Sequence, residues 1–205
     1  MNPVEWLHER HVKGRRARAL ARAIASVIPQ NATVLDVGCG DGSLAQGIVA
    51  LRRDIRIQGV EVTRRAQTYI PVTLFDGRHL PFTTEQFDVV LFADVLHHTE
   101  HAEQLVKEAA RVARRAIVIK DHCADGFLAR PTLRFMDRVG NARFGVTLPY
   151  LYLSWAEWQG LFERAGMAVD TKQTRLGLYP LPLNWVFERS LHFVARLTRG
   201  GEHSE

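Results

Sequence analysis

Nine residues constrain this chain more than any others: Val34-Leu35-Asp36-Val37-Gly38-Cys39-Gly40-Asp41-Gly42. Thr33 to Val37 is a short apolar run and reads as a buried strand. It passes directly into three glycines at alternate positions, a turn that side chains would obstruct. Ser43 is placed to cap a following helix that carries Leu44, Ile48 and Val49. A strand, a glycine turn and a helix together aim free N–H groups, and the positive end of the helix dipole, at whatever lies over the loop. The spacing is G-x-G-x-G, whereas dinucleotide fingerprints have G-x-G-x-x-G. The tight loop, preceded by Asp36, leaves little room for a pyrophosphate.

The same rhythm continues downstream. Strands are predicted at Ile55 to Val62, Pro71 to Phe75, Phe87 to Phe92 and Ala116 to Ile119, with a helix from about Glu100 to Val112. The strands are apolar on both faces and alternate with helices, which argues for a parallel sheet covered on each side. In such sheets ligands bind beyond the carboxyl ends of the strands, where the winding direction switches. Asp36, Glu61, Asp76, Asp94 and Asp121 fall at those ends. Acids there are poor core material and good ligand contacts.

The remaining segments read as support and cover. Leu20, Ala21, Ile24, Ala25 and Ile28, with Ala17 before them, recur at helical spacing near the N-terminus. Arg10, Lys13, Arg15, Arg16, Arg18 and Arg22 fall mostly on the other face, as a solvated face would. A polyanion-binding patch is the alternative reading, but no aromatic residues interleave with these, so base stacking has no support and nucleic acid is not an expected partner. Cys123 to Tyr152 holds no obvious strand, only a helix around Leu133 to Val139, and reads as an insertion over the crevice. Ser154 and Glu157 form a capping box for a helix to Ala165, which Gly166 ends. Two further strands are expected at Ala168 to Thr174 and His192 to Leu197, and Trp155, Trp158 and Trp185 read as core.

With 205 residues, 46% of them apolar and 24% charged, the chain suits one folded domain over 1–199. Its parts are a helical region at 1–30, a lid at 123–153 and a tail at 200–205. Two cysteines, no signal-peptide core and no run long enough to span a bilayer fit a cytoplasmic protein.

The glycine segment closely resembles the first signature of class I S-adenosylmethionine-dependent methyltransferases. Three more ordered segments share the resemblance: Glu61 at the end of the second strand, Phe75-Asp76-Gly77-Arg78-His79-Leu80-Pro81-Phe82, and Phe87 through His98. Leu161-Phe162-Glu163-Arg164-Ala165-Gly166-Met167 resembles the late helix-to-strand junction of that family. The resemblance implies a Rossmann-like three-layer αβα sandwich whose seven-stranded, mostly parallel sheet ends in an antiparallel strand. It also implies S-adenosylmethionine as cofactor and S-adenosylhomocysteine as product. Asp36, Gly38, Cys39 and Gly40 would then hold the methionine part, and Glu61, beside Val62, the ribose hydroxyls. Asp76 would accept from the adenine amine with Gly77 and Arg78 near the ring, and Asp94, Val95 and Leu96 would line the methionyl side.

Methyl transfer from a sulfonium is an in-line displacement that depends on alignment and exclusion of water. A base is needed only where the acceptor keeps its proton at neutral pH. His97 and His98 after the fourth strand, and Asp121 and His122 after the fifth, are the candidates. His98, His101, His122 and Asp121 lack a fixed ligand spacing, and no metal is expected. Arg134, Asp137, Asn141 and Arg143 among Phe135, Met136, Phe144, Tyr150 and Tyr152 suit a small organic acceptor, either a metabolite or a lipid-like compound. The alternative, which the basic N-terminal helix motivates, is a nucleic-acid or protein methyltransferase.

Overall fold

The structure, a computed structural model, describes residues 14–141 and 151–200 except 183 and 189. It opens with helix α1 (Gly14–Val27), which buries Leu20, Ala21, Ile24, Ala25 and Val27. Arg15, Arg18 and Arg22 stay exposed, and so does Ala17, so the apolar stripe starts one turn later than its spacing suggests. Arg10 and Lys13 lie outside the described residues. The Arg52 guanidinium closes the end of α1 by donating to the carbonyls of Ala25 (2.9 Å), Ile28 (3.0 Å) and Pro29 (3.1 Å). These are groups a helix C-terminus leaves without partners.

Five strands run parallel to one another: β1 (Thr33–Val37), β2 (Arg56–Glu61), β3 (Val72–Leu74), β4 (Phe87–Ala93) and β5 (Ala113–His122). Strands β6 (Met167–Gln173) and β7 (His192–Arg199) complete a sheet ordered β3-β2-β1-β4-β5-β7-β6. Strand β7 is antiparallel to both of its neighbours. The order reverses between β1 and β4, which is the switch point that opens a crevice.

Alternate residues of the central strands bury opposite ways, and this makes the sandwich. Val34, Val89, Leu91 and Val118 pack with Ile24 of α1 and Ile48 of α2 (Ser43–Leu51). Leu35, Val37, Val90 and Phe92 pack with Val106 of α3 (Ala102–Val112) and with Trp158 and Phe162 of α5 (Trp155–Arg164). The expected three-layer architecture is therefore present.

Several local expectations need correction. Ser43 does not cap α2; Gly42 (φ +79°) is the N-cap, and the Asp41 carboxylate accepts from Ser43 N–H at 2.9 Å. A short 3₁₀ turn (Leu96–His98) precedes α3, which begins at Ala102. Strand β5 does not stop at Ile119: pairing with β7 reaches His122↔His192, so Lys120, Asp121 and His122 lie inside the sheet and are buried. Helix α4 (Ala129–Asn141) is longer than the one read in the insertion. Arg143, Phe144 and Tyr150 lie outside the described residues, as do the side chains of Asp137 and Asn141. Trp185, read as core, is 69% exposed because it sits on a one-turn surface helix, α6 (Asn184–Phe187).

The capping box is as expected: Ser154 Oγ accepts from Glu157 N–H at 3.3 Å, and Glu157 Oε2 accepts from Ser154 N–H at 2.7 Å. No helix among the described residues is long and apolar enough to cross a membrane.

Candidate active site

The glycine loop after β1 is pressed onto β2. The N–H groups of Gly38 and Cys39 donate to Val60 O at 2.8 and 3.2 Å. A Cβ at Gly59 would lie 2.3 Å from Cys39 Sγ, and one at Gly42 2.5 Å from Ile70 Cγ1. Side chains are therefore excluded where the loop is clamped. At Gly40 (φ +60°) a Cβ would meet nothing within 4 Å. The loop is packed at its ends and open in the middle.

Two acids border that opening. Glu61 at the end of β2 accepts from Gly40 N–H and from Val62 N–H, both at 2.8 Å, and Arg65 stands 3.7 Å away. Asp36 is buried inside β1. Burial, and then the neighbouring Glu61, push its carboxyl up to about 7. Burial likewise pushes the Cys39 thiol up to about 12, so it is no nucleophile. A half-neutralised buried acid beside a second acid, under an open backbone loop, suits a ligand that brings positive charge.

Asp76 also organises its own turn. It is exposed, and its carboxylate accepts from Arg78 N–H (2.7 Å), His79 N–H (2.7 Å) and His79 Nδ1 (2.9 Å). These bonds hold it well below the usual carboxylate range and make it the organiser of its own turn. The turn still reaches the rim, since a Cβ at Gly77 would lie 3.2 Å from Val62 Cγ1. Val62 itself is 56% exposed there. Across the switch point, Val95 packs on the loop so closely that a Cβ at Gly38 would lie 2.7 Å from its Cγ2. Asp36, Gly38, Cys39, Gly40, Glu61, Val62, Gly77 and Val95 thus share one rim, with Arg78, Asp94 and Leu96 next to them in the chain.

Beyond β4 and β5 the site changes character. Asp94, with φ +57°, turns its carboxylate onto the ammonium of the fully buried Lys120. Asp121 is fully buried and accepts from His97 Nδ1 (2.6 Å), His122 N–H (2.7 Å) and Leu96 N–H (3.2 Å). His122 Nδ1 lies 3.5 Å from His97 Nδ1, 3.5 Å from Asp121 and 3.7 Å from Asp94. Burial alone would raise both aspartates; Lys120 and His122 outweigh it at Asp94, as His97 and His122 do at Asp121, and both stay below the usual range. Burial and then Lys120 push His122 down, so it is neutral at neutral pH.

Four donors, on Asp94, His97, Asp121 and His122, lie within 4.8 Å of one another. His98 and His101 do not belong to this group. Lys120 pairs with Asp94 and Asp121 accepts three hydrogen bonds, so these side chains form one buried hydrogen-bond network.

Sequence reasoning missed two members of this neighbourhood. His192 on β7 stands with its ring 4.9 Å from that of His122, and burial and then Lys120 push it well below the usual histidine range. Only the antiparallel register of β7 brings it there. Arg16 of α1 lies 5.8 Å over the Tyr179 ring, which is in turn 6.1 Å from His192. It was read as one of several solvated arginines.

Known proteins resemble this chain in sequence and in fold. Residues 35–118 match a family described as a methyltransferase domain. The chain is 36% identical over 110 residues to the bifunctional methionine biosynthesis protein MetXA/MetW of Rhodopirellula baltica, a match covering 47% of this chain and 18% of that one. It is 26% identical over 110 residues to the 27-O-demethylrifamycin SV methyltransferase of Amycolatopsis mediterranei, covering 46% and 40%. The chain spans less than half the length of the curated relatives it matches. Among solved structures, a SAM-dependent methyltransferase of Thermotoga maritima superposes with TM-score 0.67 at 19% identity, covering 95% of each chain.

Proposed function

We propose that this chain, whose matched segment and sheet order are those of class I methyltransferases that use S-adenosylmethionine, transfers a methyl group to a small-molecule acceptor in the cytoplasm. The observation that carries the reading is the junction at Val95. It joins an open, acid-lined glycine loop to a buried His97–Asp121 pair within one crevice.

The fit to S-adenosylmethionine rests on this chain's own groups. Gly40 leaves space over the loop, and Glu61 is already oriented by two backbone N–H groups. Asp36 supplies negative charge under the loop that a cationic ligand would draw out. Glu61 would hold the ribose hydroxyls, with Asp36, Gly38, Cys39 and Gly40 around the methionine part. Gly77 and Arg78 would stand near the adenine, as would Asp76 through whatever acceptor capacity its turn leaves. Val62, Asp94, Val95 and Leu96 would complete the wall. When bound, the cofactor supplies a methyl group already activated on a sulfonium and leaves as S-adenosylhomocysteine.

The acceptor's proton is the chain's task. A histidine whose Nδ1–H is held by a buried carboxylate has its tautomer fixed, with Nε2 as the basic nitrogen. His97 meets that condition through Asp121, so His97 is the proposed base and Asp121 its positioning residue. The His122 N–H helps keep Asp121 ionised and in place, and the His98 ring lies tilted against that of His97 with centroids 3.7 Å apart. The buried setting excludes water, which would otherwise compete for the methyl group.

Calorimetry with S-adenosylmethionine and S-adenosylhomocysteine tests the reading. Saturable binding of both, on the order of micromolar, is expected. Absence of heat with either compound would reject it.

A further inference from the structure

The molecule carries an apolar surface that its core does not use. Phe127 is 86% exposed, Leu181 70%, Trp185 69% and Phe135 59%. These residues come from two segments that meet. The Phe135 ring of α4 stacks on Phe187 of α6, with centroids 6.5 Å apart. Leu181 and Trp185 belong to the same compact turn as Phe187, closed by Asn184 N–H donating to Pro180 O and Trp185 N–H to Pro182 O, both at 3.1 Å. Leu128, just before α4, is 51% exposed, and Phe135 stands out from α4 while Ala129 and Leu133 bury its opposite side.

Charge on these segments is arranged in one sense. Arg130, Arg134 and Arg175 are exposed. The described carboxylates nearby each accept from backbone N–H groups: Asp125 from Trp155 at 3.2 Å, Glu157, which lies near Arg130, from Ser154 at 2.7 Å, and Glu188 from Gly177. Helix α1 adds Arg15, Arg18 and Arg22 with no acid along its length. The surface is therefore apolar and cationic together.

It is also continuous with the candidate site. Phe187 lies 5.6 Å from the Tyr179 ring, Tyr179 6.1 Å from His192, and His192 4.9 Å from His122. A path of rings runs from the exposed patch to the buried network. Patches of this kind mark an interaction surface, and tryptophan and phenylalanine flanked by arginine suit the interface of an anionic bilayer.

We propose that Phe127, Phe135, Leu181 and Trp185, with Arg130 and Arg134, dock this protein on an anionic membrane surface, from which an amphiphilic acceptor reaches the histidine network. The acceptor class rests on the methyl-transfer reading; the docking does not.

The test is flotation of the purified chain with phosphatidylcholine vesicles containing about 30% phosphatidylglycerol, against pure phosphatidylcholine, at low salt. Binding to the anionic vesicles is expected to be at least about tenfold stronger, and to shift the emission of Trp185 to shorter wavelength. The Trp185→Phe variant should lose that shift. Arg130→Gln/Arg134→Gln and Phe135→Ser/Trp185→Ser should each weaken binding about tenfold or more. Both pairs replace exposed groups, so circular dichroism and S-adenosylmethionine binding should match the parent chain. Equal binding to both vesicles, no binding, or binding indifferent to both double variants overturns the proposal. So does a dimer in light scattering that Phe135→Ser/Trp185→Ser turns into monomer, since a second copy would then own the patch. If vesicle binding holds while S-adenosylmethionine gives no heat, the functional reading fails and the docking stands.

Discussion

The two ends of the crevice solve the problem of placing acids in a protein by opposite means. On the β1–β2 side, Glu61 is answered by backbone N–H groups of a loop, Asp36 is left half-protonated, and Gly40 faces open space. On the β4–β5 side, Asp94 is answered by the buried Lys120, and Asp121 by the buried His97 side chain together with the N–H groups of His122 and Leu96. The first arrangement is incomplete and suits a charged ligand. The second is closed by its own side chains and suits proton handling. On the proposed reading binding and proton handling are separated along the sheet, and substitutions should separate them too.

The largest effect is expected from Asp121→Asn, which keeps volume and removes the charge that orients His97. With an acceptor that must be deprotonated, kcat should fall by roughly 10² to 10⁴ while cofactor affinity stays within about threefold. Turnover and calorimetry on the same preparation check this, and parallel loss of both would mean that the halves are one unit. Glu61→Ala should do the reverse. It removes two charge-assisted bonds that hold the loop, so the Kd for S-adenosylmethionine should rise about 100-fold, with kcat at saturation nearly kept.

Asp36→Asn probes the unfinished half without a ligand. An aspartate held near 7 when folded, and near 3.8 when unfolded, favours the protonated native state, so native stability is lost as pH rises through that interval. The variant should be more stable than the parent chain by about 2 kcal/mol or more at pH 8, with the difference gone near pH 4. Urea unfolding without cofactor measures it; a less stable variant at pH 8 would show that Asp36 already has a counter-charge. Ser154→Ala is the smallest change and lies outside both halves. Loss of the cap should cost about 1 kcal/mol and a few degrees in Tm, with Kd and kcat unchanged.

The difference between the halves also explains what the sequence could show. The β1–β2 half is local: a strand, a glycine turn and an acid 21 residues on, joined through backbone geometry that glycine spacing reveals. Strand existence was legible for the same reason, because both-face burial leaves continuous apolar runs such as Phe87 to Phe92. The hold of Asp76 on its own turn was not legible, since a carboxylate folded onto its turn and one offered to a ligand look alike in sequence. The β4–β5 half depends on register. Lys120, Asp121 and His122 read as residues beyond a strand because nothing local says that β7 pairs with them to their end. His192 has meaning only through that pairing, and Trp185 looked like core because its size, not its one-turn surface helix, was visible.

The position of β7 has a consequence for how this chain comes into being. It is the last strand described, yet it slots between β5 and β6, which were made before it. Until it arrives, two edges stand open with their hydrogen-bonding groups unspent, and the ring of His192 has not reached the other histidines. During synthesis the glycine loop could close long before the proton-handling network does. A truncated copy lacking residues 192–199 would keep the glycine loop and its acids but lose the strand that pairs with Lys120, Asp121 and His122.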